Sequence, residues 1–168
     1  MEPLHPPRSV GVDALNVAHW CGRTPQLRLP LALLAALHRR GFEARLYFDA
    51  SAPYRFAADG ACYAELRQHA ELCIEVPPGR SADSALLRDA RARGGCIVSR
   101  DHFSDHRRRY RKLIDEPGRV LGGFVREEVM HLPGLDLLVP VPVTADEAWQ
   151  QLSPSLNTET SAAIPSAD

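Results

Sequence analysis

Several aspartates fall where the chain could bring their carboxylates together. Asp13 closes the run S-V-G-V-D, Asp49 closes A-R-L-Y-F-D, and Asp101 directly follows C-I-V-S-R. Asp83 falls in the first turn of a helix expected to start from the same edge. Asp105 follows Asp101 by four residues, a spacing that on a helix puts both carboxylates on one face. Gathered carboxylates repel and raise one another's pKa unless a cation compensates. Lys112 is the single lysine and lies elsewhere, so the expected compensation is a divalent ion. All-oxygen ligation suits Mg²⁺ or Mn²⁺. Such an ion activates water and holds a phosphate oxygen, and a pair of ions can stabilise both attacking and leaving oxygens. Asn16, three residues after Asp13, could orient water or bind phosphate through its amide.

Each acid alone also has a structural reading. Asp13 and Asp49 suit turns, because aspartate hydrogen-bonds its own backbone two residues on. Asp83 suits the positive end of a helix dipole. Asp101 could be an N-cap, Asp105 a solvated helical residue and Asn16 a loop cap. The joint placement, on segments far apart in the chain, favours chemistry. Asp49 is an extra candidate ligand on strand geometry alone.

The elements that must position these acids alternate between strand and helix. Ser9–Asp13, Ala44–Asp49, Leu72–Val76 and Cys96–Ser99 read as strands. Leu27, Leu31, Leu34 and Leu37 recur at helical spacing, and Gly41 stops that helix. Ser51–Gly60 reads as a loop, and Cys62, Leu66 and Ala70 as a second helix. Ser81 can cap a third helix with Ala82, Leu86 and Ala90 on one face, ended by Gly94 and Gly95. Phe103–Leu113 reads as helical, and Arg119–Val143 as a hairpin or edge strand. Nearly continuous apolar strands separated by helices imply an α/β fold, a three-layer sandwich with a mostly parallel central sheet. Sites in such sheets form at the carboxyl ends of the strands, where the strand order reverses.

The basic run Arg107, Arg108, Arg109, Tyr110, Arg111 and Lys112 directly follows Asp105. Arginine forks match phosphate, and Tyr110 could stack on a base. A solvated helix face is the other reading. Arg55, Arg80 and Arg100 are weaker candidates near the same strand ends. His19, His102 and His106 could contact phosphate or RNA edges but are not assigned to metal. Trp20 could stack on a base, but packing is favoured; Leu121, Phe124, Val125, Leu135, Leu137 and Leu138 could complete the core or form an interface, with the core favoured.

These residues resemble the NYN ribonucleases, in particular the Regnase type, within the PIN-like nuclease superfamily. V12-D13-A14-L15-N16 is similar to that family's opening aspartate with asparagine three later. R40-G41-F42-E43-A44-R45-L46-Y47-F48 is similar to its second strand, and A82-D83-S84-A85-L86-L87 to its third-helix acid. I97-V98-S99-R100-D101-H102-F103-S104-D105 is similar to its S-x-D-x-aromatic-x-D element, the most specific match. The resemblance runs from about Val10 to Arg111. It implies a Rossmann-like PIN/NYN core, cleavage of single-stranded RNA and Mg²⁺ dependence. It carries catalytic metal-binding roles onto Asp13, Asp83, Asp101 and Asp105, a supporting role onto Asn16 and a backbone-shaping one onto Ser99. Homodimerisation is a further expectation from the family. Ala14 and Leu15 replace a small Gly-Ser pair, a single acid stands at Asp83, and no CCCH zinc finger flanks the domain.

A phosphatase of the haloacid-dehalogenase type would need a second aspartate two residues after Asp13, and Leu15 stands there. A module that binds nucleic acid or protein without cutting is the non-enzymatic alternative. Clustered acids facing phosphate argue against it. No Gly-Lys-Ser/Thr phosphate loop occurs. A length of 168 residues, 45% hydrophobic, suits one domain over residues 9–151. Residues 1–8 are expected to be flexible and 152–168 a disordered tail. With a net charge of -1 there is no global basic signal, so any nucleic-acid contact must be local. The four cysteines form no C-x-x-C pair and read as reduced thiols of a cytoplasmic protein. No apolar run is long enough to span a membrane.

Overall fold

The structure, a computed structural model, describes residues 8–152. The expected flexible N-terminus and disordered tail fall outside these residues, apart from Arg8 and Leu152. Five parallel strands form the central sheet: β1 (Ser9–Asp13), β2 (Glu43–Phe48), β3 (Cys73–Glu75), β4 (Cys96–Val98) and β5 (Val120–Leu121). Their order is β3-β2-β1-β4-β5, so β1 pairs with both β2 and β4. Val12 is in register with Leu46 on one side and Val98 on the other. The order reverses at β1 and β4, and the crevice beyond their carboxyl ends is where such a sheet can hold a ligand.

Helices cover both faces, which is why the strand centres are mostly apolar. Alternation sends Val10, Val12, Leu46, Phe48 and Val98 to one core. There they meet α2 (Arg28–Arg39), α4 (Gly60–Arg67) and the helical residues 145–152. Tyr47 and Ile97 point the other way, against α5 (Ala82–Arg93) and α6 (Arg107–Asp115). Helix α5 lies close over β1 because Gly11 has no side chain. A Cβ there would stand 2.9 Å from Leu86 Cδ2.

A left-handed Gly94, φ 68°, ends α5 and turns the chain into β4. The neighbouring Gly95 is needed for a different reason. A Cβ on Gly95 would sit 2.3 Å from the Ser9 carbonyl oxygen, inside the β1–β4 seam. Gly95→Ala should therefore cost about 3 kcal/mol through backbone overpacking. Gly94→Ala should cost only about 1–2 kcal/mol for its left-handed backbone. Urea unfolding of the two variants gives the ranking, and equal losses would contradict the seam contact.

Three expectations are corrected. Ser51–Gly60 is not an open loop. It holds a short helix α3 (Ala52–Arg55) with Pro53 in its first turn and a 3-10 turn at Ala57–Asp59. The tight path buries Phe56, whose ring packs edge-on against Phe48 at 5.8 Å. Second, no helix starts at Phe103, which is left-handed at φ 52°. A 3-10 turn, Ser104–His106, leads into α6. The Asp101 carboxylate accepts the Phe103 N–H at 2.9 Å, and this turn buries the Phe103 ring. Third, Arg119–Val143 is more than a hairpin. After the edge strand β5, the strands β6 (Phe124–Arg126), β7 (Val129–Leu132) and β8 (Leu137–Pro140) form a separate antiparallel sheet. Among the described residues no helix is long and apolar enough to cross a membrane.

Candidate active site

Asp13 is the last residue of β1 and is 8% exposed, although nothing apolar suits a carboxylate there. Its Oδ2 accepts the Ser99 hydroxyl at 2.8 Å. Ser99 is buried just beyond β4, and its Oγ also accepts the Asp101 N–H at 3.0 Å. One hydroxyl thus ties the end of β1 to the turn that carries Asp101. Asn16 makes a second tie. Its Oδ1 accepts the Trp20 indole N–H at 3.1 Å and the Arg100 N–H at 2.9 Å, locking α1 (Ala14–Ala18) to the loop after β4.

Asp13, Asp49, Asp83 and Asp101 line one cavity of about 410 Å³, together with Asn16, His19, Arg80 and Ser81. Burial raises the Asp13 carboxyl from its ordinary 3.8 to about 6. The Ser99 hydrogen bond opposes this, the Asp83 charge adds to it, the Asn16 backbone opposes it, and Asp101 adds to it again. The Asp83 carboxyl is also raised, first by burial and then by Asp101. His106 pulls it down, and Asp105 and Asp49 push it up. Among the described residues none of these aspartates is ion-paired. The cavity is therefore an anionic pocket with unmet demand for a cation.

The four expected ligands are not equivalent. Among the described residues no three His, Cys, Asp or Glu side chains form a closed group able to hold a metal ion. The carboxylates stand around the cavity without closing into one cage. That pattern still suits Mg²⁺, which keeps several waters and binds through one or two carboxylates. Asp105 is exposed and does not line the cavity, although its charge reaches Asp83. The shared helical face expected for Asp101 and Asp105 does not exist, because left-handed Phe103 stands between them. Asp49 lines the cavity but serves its turn as well. Its Oδ1 accepts the Ser51 N–H at 2.8 Å and the Ser51 hydroxyl.

The basic candidates divide in the same way. Arg107 and Arg111 both pair with Asp115, at 2.6 and 3.5 Å. Tyr110 is buried, with Arg91 and Arg109 over its ring at 4.6 and 5.6 Å, so it is no open platform for a base. Arg108, Arg109 and Lys112 make no ion pair among the described residues. Arg100 donates to the Gly123 carbonyl at 2.6 Å and lies over Trp20 at 4.8 Å, while Arg55 donates to Ser51 Oγ at 3.0 Å. The cation that does line the cavity is Arg80, which the sequence ranked among weaker candidates. Its signal was its place three residues before Asp83. Ser81 holds the N-cap backbone of α5, but its hydroxyl makes no capping bond and lines the cavity instead.

The model of the Zc3h12a-like ribonuclease NYN domain matches residues 6–134. The chain belongs to that family. The matched stretch contains every residue of the anionic cavity. Among solved structures, this NYN chain is similar to nuclear proteinaceous RNase P 2 (PRORP2) from A. thaliana. The TM-score is 0.59 at 13% identity, over 83% of this chain. At that identity the likeness shows the shared NYN/PIN-like fold. The NYN chain spans only 32% of the PRORP2 chain's length. No curated protein matches it at a significant level. Membership of that family supports a ribonuclease role.

Proposed function

We propose that this NYN domain is a Mg²⁺- or Mn²⁺-dependent ribonuclease that hydrolyses phosphodiester bonds of single-stranded RNA. The observation that carries the reading is the shared cavity of Asp13, Asp83 and Asp101, carboxylates from distant segments, where burial first and neighbouring acids second raise the carboxyls of Asp13 and Asp83. One or two of these three, completed by waters, would hold the metal, with Asp105 supplying negative charge from outside and Asp49 also lining the cavity. When bound, the ion supplies an activated water and charge neutralisation at the phosphate.

The chain's own groups do the rest. Ser99 holds Asp13 in place and favours its charged form. Asn16 spends its amide oxygen on Trp20 and Arg100, and so presents its NH₂ to the cavity as a donor for water or phosphate oxygen. Arg80 places a guanidinium at the cavity wall, where it can neutralise a phosphate oxygen. The reaction forms a bond from water oxygen to phosphorus and breaks one from phosphorus to a ribose oxygen, which leaves with a proton. Preference for a single strand follows the family resemblance. A cytoplasmic setting accords with the unpaired thiols, and homodimerisation is carried over from the family.

The test is cleavage of a fluorescent single-stranded RNA with Mg²⁺, Mn²⁺ or excess EDTA. Cutting with either ion and none in EDTA is expected. Cutting that persists in EDTA overturns metal dependence. Retention of RNA without cutting identifies a binder, and phosphate release from small monoesters a phosphatase.

A further inference from the structure

The catalytic cavity does not end at its own walls. It shares Arg80 and Ser81 with a second hollow of about 790 Å³, lined by the segment after β3, by α5 and by Tyr110. That hollow shares Arg109 and Tyr110 with a third, of about 530 Å³, between the end of α5 and α6. The three join in a row along α5, whose twelve residues span about 18 Å.

The lining of the second and third hollows is rich in arginine, of which Arg88 pairs with Asp89 at 3.2 Å and Arg111 with Asp115 at 3.5 Å. Ser84, Arg88 and Arg91, at spacings of four and three, form a stripe of α5 that lines the row. Arg91 and Arg109 are held by the buried Tyr110 ring rather than by acids. Arg80, Arg91 and Arg109 make no ion pair among the described residues. The two acids that line the second and third hollows are already answered, Glu75 by Arg67 at 2.8 Å and Glu116 by Arg119 at 2.7 Å. In a chain of net charge -1, this is a local concentration of free positive charge that begins at the anionic cavity wall.

We propose that this row is a track for a single RNA strand leading to the cavity, with successive backbone phosphates on Arg80, Arg109 and Arg91. The inference rests on the ribonuclease reading above. Guanidinium forks match phosphate oxygens, and a row of them gives affinity without reading base identity. One extended strand can follow a row of hollows phosphate by phosphate, whereas a stiff duplex meets such a row with only part of one backbone. The same track makes the enzyme act better on long strands than on short ones.

The test is fluorescence anisotropy of a labelled oligouridylate with the full chain in EDTA, which separates binding from cutting. Arg91→Glu with Arg109→Glu should weaken binding at least about tenfold. The log–log salt slope should fall by about 1.4, from two lost phosphate contacts at about 0.7 each. Arg91→Lys with Arg109→Lys keeps the charge and should keep the slope, which guards against a loss caused by misfolding. The charge-matched control Arg39→Glu with Arg40→Glu, at the end of α2 on the other face of the sheet, should change neither.

The track is overturned if both glutamate pairs weaken binding equally or if the track pair binds like the wild type. It is also overturned if duplex RNA of the same length binds as tightly as the single strand. Binding through the track with no cutting in Mg²⁺ would remove the ribonuclease reading and leave the track standing. Cutting with an unchanged KM in the track variant would remove the track alone.

Discussion

Replacing Asp13 with asparagine will stabilise the metal-free protein while removing its activity. The stabilising half follows from the sign of the pKa shift. Asp13 is buried, and its carboxyl titrates at about 6 in the folded chain against an ordinary 3.8. The folded state therefore binds this proton more tightly than the unfolded state does. Stability contributed by the protonated form is full below about pH 4 and is lost as pH rises through about 6. Above that, the ionised carboxylate costs on the order of 3 kcal/mol.

Asparagine carries no charge, and its amide oxygen can still accept the Ser99 hydroxyl. In EDTA at pH 8, Asp13→Asn should melt several degrees above the wild type, at about 2–4 °C per kcal/mol. The two proteins should converge near pH 4. A divalent ion should raise the melting temperature of the wild type and not that of the variant. The activity half follows from the loss of a direct ligand. Changes to outer partners of a metal site already cost about 10–100-fold, so this one should exceed a hundredfold. Identical melting curves at both pH values would show that the buried charge burdens nothing. Intact RNA hydrolysis would remove the catalytic assignment.

Ser99→Ala should lower RNA hydrolysis by about 10–100-fold without touching any acid of the cavity. Its hydroxyl is the link between the Asp13 carboxylate and the Asp101 N–H. Without it, the main hydrogen bond opposing the burial shift of Asp13 is gone, so that carboxyl rises above its present value of about 6. The alkaline plateau of the pH–rate profile should then start at higher pH. The Asp101 N–H also loses its acceptor, which costs about 1–3 kcal/mol when the donor stays buried. The shifted profile distinguishes this positioning role from plain loss of fold, which would scale the rate at every pH. In an Asp13→Asn background the same substitution should cost less stability, a coupling of about 0.5–3 kcal/mol in a double-mutant cycle. Full additivity would show that the two side chains do not act through each other.

The sheet was legible before any coordinates because its determinants are local. Apolar runs ending in Asp13 and Asp49, and the glycine pair after Arg93, carry periodicity and turn chemistry within a few residues of each element. The same logic reached Asp13, Asp83 and Asp101, since strand ends on one edge must converge if the sheet is parallel. Where one residue's conformation depends on burial elsewhere, that logic fails. The Phe103 ring finds a pocket by adopting φ 52°, and this breaks the helix that the Asp101–Asp105 spacing implied. Pro53 and the burial of Phe56 likewise make short helices from a segment whose composition reads as loop.

The partnering of charges was set by packing. From sequence, Arg107 through Lys112 form one basic run. Folding hands Arg107 and Arg111 to Asp115 and sets Arg109 over Tyr110 beside Arg91, two turns of α5 beyond Asp83. It also gave the Ser99 hydroxyl a partner in Asp13 across 86 residues of chain, beside the Asp101 N–H two residues on, and left the carboxylates around a cavity rather than in a closed cage. The physical reason is range. Secondary structure depends on neighbours along the chain, whereas the free energy of a charge depends on every group and every water molecule within several ångströms, and only the packed fold sets those distances.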